Sequence, residues 1–385
     1  MPDAPSAKRV RGDKPPVAAM YQAQEEPAHL LMTKDEMSWM TTALEPDRSV
    51  DVFLLLGCGA RGLPHILRDS VAVLEALGVS FVAGAGQQFC CGNPYRPDRL
   101  EAADRLSAAS IDRMTAWGAS TLVHWCTACQ LTFSAWSSDS TTLWTGGRPD
   151  VPMRPRGAPQ DHVDNVHIHT FIERRLRELG DRVPWKKTVP RRVLVEGHPE
   201  LTQVHDVAMT TGAQMLALVP GVEVLGYVEA PAAFLRPGSN CSNALTDLTV
   251  HDVQRIRADL ARQARDRGAD TISCQHHNCH RTWSRFASEG LRVQQCVSIV
   301  AEALGVVSPD RYQSFAHLPD TEAVVERAQP YWRSWGLDRD DAVGLASRIF
   351  DPKYAERPSC PCGGDVSKCT ETPLVQIGSI IRDSA

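Results

Sequence analysis

The chain has 385 residues, 43% of them apolar, which is enough for two domains of ordinary size, each with its own core. Its 41 basic residues stand against 46 acidic ones with no long basic run, so the electrostatic footprint of a nucleic-acid-binding protein is excluded. No window approaches the roughly 18 apolar residues of a membrane helix, and the basic N-terminal stretch MPDAPSAKRVRGDKPP has no apolar region behind it, so a cytoplasmic protein is expected.

Residues 1–48 are polar and Pro-rich without sustained periodicity, and are expected to be a flexible arm in which TKDEMSWMTTAL forms at most one short helix. A first domain is expected over residues 49–150. There VDVFLLLG reads as a buried strand, PHILRDSVAVLEALG as an amphipathic helix and VSFVAGA as a second strand. RPDRLEAADRLSAASIDRMTAWG is another helix and ASTLVHW a third strand, and such alternation implies a parallel sheet covered on both faces. Residues 151–189 read as a linker containing the helix HTFIERRLRELG. A second, altered copy of the first domain is expected over 190–310, where RRVLVEGH puts Gly197 and His198 in the places of Gly57 and Cys58. Setting Gly118-Ala119 on Gly268-Ala269 places His276 on Cys126 and Cys279 on Cys129, and NCSN, with Cys241, takes the position of the FCCG stretch. Residues 311–385 hold helical text and a cysteine-bearing tail, SCPCGGDVSKC. The fold class expected is α/β: two pseudo-duplicated cysteine-rich domains with parallel sheets flanked by helices, a disordered N-terminal arm and an irregular tail.

Twelve cysteines without a secretory signal point to metal or redox chemistry rather than structural disulfides. Cys90 and Cys91 are adjacent, and a disulfide between neighbours would strain the peptide that joins them. Cys58, Cys90, Cys91, Cys126 and Cys129 all follow strand ends, which in a parallel sheet open on one crevice, so five thiols are expected to converge. Five exceeds what a cubane or a zinc ion takes from its protein. An iron–sulfur centre of unusual shape uses all five if some thiolates bridge two irons, whereas one zinc site with a spare thiol is the plainer alternative. In the second half His198, Cys241, His276 and Cys279, with Cys274 and His277 close by, form either a zinc set, a mixed-ligand iron–sulfur set or the polar loops of a decayed site. Cys360, Cys362 and Cys369, with or without Cys296, are a weaker third group. His124 is by default a satisfied strand-end histidine rather than a proton carrier, and Arg96 and Tyr95 a surface pair rather than a substrate mouth. The chain has neither a CxxCxxCxxxCP run nor a GxGxxG opening a helix, so electrons would have to come from a partner.

The order Cys58, Cys90-Cys91-Gly92, Cys126-x-x-Cys129 resembles the CCG domain of the heterodisulfide reductase B-subunit family, whose full members carry two such motifs. The resemblance runs over roughly residues 50–300. It implies a non-cubane [4Fe-4S] centre held by those five cysteines, at which a disulfide is cleaved or formed. It further implies a subunit of a heterodisulfide-reductase-like complex, such as the sulfur-oxidising ones, with a ferredoxin-like iron–sulfur subunit among its partners and a disulfide or carrier-bound sulfur as substrate. The second half departs from the family pattern, which puts a second centre of the same kind in doubt. Two alternatives remain: a CCG-domain electron-transfer subunit of a lactate- or glycolate-oxidising enzyme, and an assembly scaffold that binds zinc or an iron–sulfur centre.

Overall fold

The computed structural model describes residues 24–38, 46–92, 100–133, 164–196, 203–229, 231 and 248–355. Strand β1 (Val52–Leu55) is buried at all four positions. Helix α1 (Pro64–Ala76) starts on a proline, whose missing N–H costs nothing in a first turn, and buries Ile66, Leu67, Ser70, Val73 and Leu74 along one stripe. There follow β2 (Phe81–Gly84), α2 (Leu100–Thr115), β3 (Thr121–His124), α3 (Thr127–Phe133), β4 (Asp164–His167) and α4 (Ile168–Leu179). The strands form one parallel sheet in the order β2-β1-β3-β4.

The second half repeats the plan with β5 (Arg191–Val195), α5 (Gln203–Leu216), β6 (Val222–Tyr227), α6 (Val250–Arg267), β7 (Thr271–Cys274), α7 (His277–Trp283), β8 (Arg292–Gln295) and α8 (Cys296–Leu304). Its sheet is again parallel, in the order β6-β5-β7-β8. Gly118 and Gly268, the anchors of the internal repeat, both adopt positive φ, +70° and +67°, just beyond α2 and α6. The ladders refine the repeat at one point. Val52 pairs with Thr121 and Val193 with Thr271, so Glu196 stands level with Leu55. The expected match of Gly197 with Gly57 is therefore one residue out of step with the strands, and residues 197–202 lie outside the described ones.

The halves share a core. Helix α1 packs on α8 and α4 on α5, and one apolar cluster takes in Ile66 and Leu67 from α1, Ile172 from α4, Met215 from α5, and Ile299 and Val300 from α8. A layer of four short helices, α9 (Arg311–Ala316), α10 (Thr321–Arg327), α11 (Gln329–Ser334) and α12 (Arg339–Ile349), extends this core with Tyr312, Val325, Trp332 and Leu345. Among the described residues no helix is long and apolar enough to cross a membrane.

Two expectations need correction. Residues 24–38, read as part of a flexible arm, pack as 3-10 turns at Glu26–Leu30 and Asp35–Met37 with Ala28, Leu30, Leu31, Met32 and Met37 buried. Trp335 Nε1 donates to Met32 O at 2.9 Å and Arg311 to Leu31 O at 2.8 Å, tying this segment to the last helices. The stretch 151–189, read as a linker, supplies β4, the fourth strand of the first sheet. Residues 1–23 and 39–45 of the arm and the tail with Cys360, Cys362 and Cys369 lie outside the described residues.

Candidate functional site

The five cysteines of the first half meet beyond the C-terminal ends of β1, β2 and β3. Cys58 stands three residues past β1 and opens a 3-10 turn, Gly59–Gly62. Cys90 and Cys91 follow the turn Gln87–Phe89 after β2, and Cys126 and Cys129 bracket the start of α3 after β3. The Cys129 thiol bonds both Cys126 and Cys91, with its Sγ 3.7 Å from Cys91 Sγ. Cys90, Cys91 and Cys129 are buried, while Cys58 and Cys126 are half-buried and form the open side.

Helix α2 fixes the double cysteine through residues the sequence reading passed over. Ser110 Oγ donates to Cys90 O at 2.7 Å and Ser107 Oγ to Cys91 O at 2.5 Å, two hydroxyls one helical turn apart. That SxxS spacing facing FCCG is the signal that could have found them. Gly92 N–H donates to Cys90 Sγ at 3.3 Å. Gly92 has φ +69°, and a Cβ there would lie 2.4 Å from Ala103 O, so glycine is what lets α2 close on the loop.

The thiols themselves oppose ionisation. Burial pushes the Cys58 thiol far up, and charge on Cys91, Cys126 or Cys90 pushes it further. Bonding to Cys126 and to Cys91 raises Cys129, and burial adds to it. Five thiols so placed become thiolates together only around a cation that neutralises them. Two sulfurs bound at about 2.3 Å to one tetrahedral metal lie roughly 3.8 Å apart, close to the Cys91–Cys129 separation. The donor set therefore fits a thiolate-bound metal or iron–sulfur centre.

The other expected residues distribute as follows. His124 is buried, kept neutral by burial with its pKa down at about 4, and bonds Asn165 Oδ1 at 2.9 Å through Nε2, as a strand-end histidine does. His276 caps α7 and Cys279 sits in its first turn, both buried, matching Cys126 and Cys129 in position. Cys274 and Cys279 belong to one apolar cluster of the second half. His198 and Cys241, the other two residues of that expected set, lie outside the described residues, as do Tyr95 and Arg96. His277, grouped by sequence with the second site, instead reaches across to the first half: a Cβ on Gly59, next to Cys58, would stand 2.6 Å from its Nε2. Cys296 is fully buried, with its Sγ 3.0 Å from His169 Nε2 at the contact between the halves.

Residues 52–134 match the family model of the CCG cysteine-rich domain. The matched span starts on β1, ends just past α3 and contains all five clustered cysteines. A search of curated proteins returned no match to the chain. The CCG domain supports iron–sulfur binding and with it a redox role.

Proposed function

We propose that the chain is the iron–sulfur redox subunit of a heterodisulfide-reductase-like complex, in which Cys58, Cys90, Cys91, Cys126 and Cys129 hold a non-cubane [4Fe-4S] centre and the substrate is a disulfide or a carrier-bound sulfur. The observation that carries this reading is the convergence of five thiols, two of them adjacent in sequence, within a CCG domain of the kind found in heterodisulfide reductase B-like proteins. A single zinc ion would leave one of the five without a task.

When bound, such a centre supplies electrons and soft acceptor sites for the thiolates released from a disulfide. Opening a disulfide takes two electrons and, if both products leave as thiols, two protons. The chain's own part is positional. Cys58 and Cys126, the half-buried pair, mark the side from which a substrate approaches, while the buried Cys90, Cys91 and Cys129 close the rear. Ser107 and Ser110 hold the double cysteine from α2. The electrons come from a ferredoxin-like iron–sulfur partner docking in the cytoplasm near that open side. In the second half, His276 and Cys279, completed by His198 and Cys241, offer two imidazoles and two thiolates for zinc or a mixed-ligand cluster.

Anaerobic purification tests the reading, with about four irons and about four acid-labile sulfides per chain expected. Cys90→Ser and Cys91→Ser should each lose most of that iron, because a hydroxyl is a poor soft ligand, whereas Cys296→Ser should keep it. Disulfide reduction should proceed with a low-potential dye, fail with NADPH and vanish in Cys126→Ala. Zinc as the only metal, or dye-driven activity that survives Cys126→Ala, would sink the proposal.

A further inference from the structure

A second group of metal-type donors lies away from the thiols, and it joins the two halves. His65 projects from α1 of the first half, His280 from α7 of the second, and Asp310 caps α9. Their ligand atoms all fall within 4.8 Å of one another. His280 Nε2 is 2.6 Å from Asp310 Oδ2, and His65 Nε2 is 3.6 Å from the same oxygen. The other carboxylate oxygen accepts the Gln313 N–H at 2.9 Å, which fixes the carboxylate plane. Both imidazoles are buried.

A plain ion pair accounts for only part of this. The contact of His280 with Asp310 already serves that carboxylate oxygen, yet His65 approaches the same oxygen at a distance beyond hydrogen-bond range. Three donors on one tetrahedral metal with bonds of about 2.0–2.1 Å lie roughly 3.3 Å apart. The observed 2.6 and 3.6 Å bracket that value, and with all three ligand atoms within 4.8 Å of one another, side-chain shifts of under about 1.5 Å would gather them around an ion. His65 and Asp310 also line a cavity of about 400 Å³, together with Gln294, Ser298 and Ser308. Two imidazoles and one carboxylate with open positions are a donor set for zinc or iron(II).

We propose that His65, His280 and Asp310 bind one divalent transition-metal ion of the zinc or iron(II) type, with its remaining coordination positions facing that cavity. The site contains no sulfur and so does not depend on the five-thiol reading. Nothing in the sequence points to it, because the three residues are up to 245 positions apart and come from three layers of the fold.

The test uses the full chain, purified anaerobically, and Zn²⁺ alone as the probe. Zinc titration followed by zinc-edge X-ray absorption should show one equivalent per chain with nitrogen and oxygen neighbours only, resolved as a separate binding step from any zinc taken by the sulfur-bearing set of the second half. In His65→Gln and Asp310→Asn the affinity for that equivalent should fall at least tenfold, with an unchanged circular-dichroism spectrum and urea midpoint as the check on folding. Sulfur in the shell of every bound zinc would place the metal among the cysteines and overturn the proposal. So would wild-type zinc affinity in His65→Gln, or no uptake of a sulfur-free equivalent. The wild-type spectrum decides the matter even if a variant fails to fold.

Discussion

Asp69 is a carboxylate with no exposed surface, held on α1 at the contact between the halves. Burial raises its pKa, and the hydrogen bonds from Ser298 Oγ (2.5 Å) and Ser308 N (2.6 Å) offset only part of that, with the Asp310 charge adding to the rise. The result is a shift from 3.8 to about 6. The folded state therefore keeps a proton that the unfolded chain releases between those values. The stabilisation linked to it is complete below pH 3.8, is lost as pH rises through about 6, and amounts to about 3 kcal/mol at most. Asp69→Asn keeps an acceptor for Ser308 and gains a donor for Ser298. Urea unfolding at pH 5 and at pH 7.5 should show the wild type gaining about 1–1.5 kcal/mol on the Asn variant at the lower pH. An identical pH response of the two proteins would mean that Asp69 ionises normally.

At the scale of elements, the closeness of α2 to the double cysteine depends on Gly92. An alanine there would meet the Ala103 backbone at 2.4 Å and hold a left-handed φ, at a combined cost of about 2–4 kcal/mol unless α2 moves away. Gly86 is a matched control, since its φ is +87° but nothing lies within 4 Å of a Cβ. Gly92→Ala should lose bound iron while Gly86→Ala retains it, and equal iron in both would detach the helix from the site. The inner strands β1 and β3 and helices α1 and α2 are legible in the sequence because their apolar runs or stripes are continuous. The edge strands β4 and β8 are not, since Asp164-Asn165-Val166-His167 and Arg292-Val293-Gln294-Gln295 cover one face with too few apolar residues to show a period. The five thiols are legible because each follows a strand or a turn near a strand end. Ser107 and Ser110 leave only their SxxS spacing as a sign, and the His65–His280–Asp310 group acts through contacts between elements, which no local pattern encodes.

Across the whole molecule, the segment 24–38 escapes notice in the sequence because its apolar residues pack through 3-10 turns rather than an amphipathic helix. It seals the shared core beside Tyr312 and Trp332. Removing residues 1–38 should cost on the order of 5 kcal/mol or more relative to removing 1–23, because Leu30, Leu31, Met32 and Met37 then leave their sites. Urea midpoints of the two truncations measure the difference, and a similar midpoint would make the segment dispensable.

The packing of α1 on α8 and of α4 on α5 is reciprocal, because α1 and α5 occupy the same place in the repeat, as do α4 and α8. Such an exchange is the hallmark of an isologous dimer contact, in which patch i meets j and j meets i. Two copies of a one-repeat ancestor would associate in this way and carry two identical thiol mouths. Fusion into one chain would free the copies to drift apart, and the halves do differ: His276 stands where Cys126 does, and His280, whose counterpart is Gln130, meets Asp310. Among the described residues the five-thiol mouth then belongs to one half alone, so the electron donor proposed above would meet the chain on one side rather than on two equivalent ones.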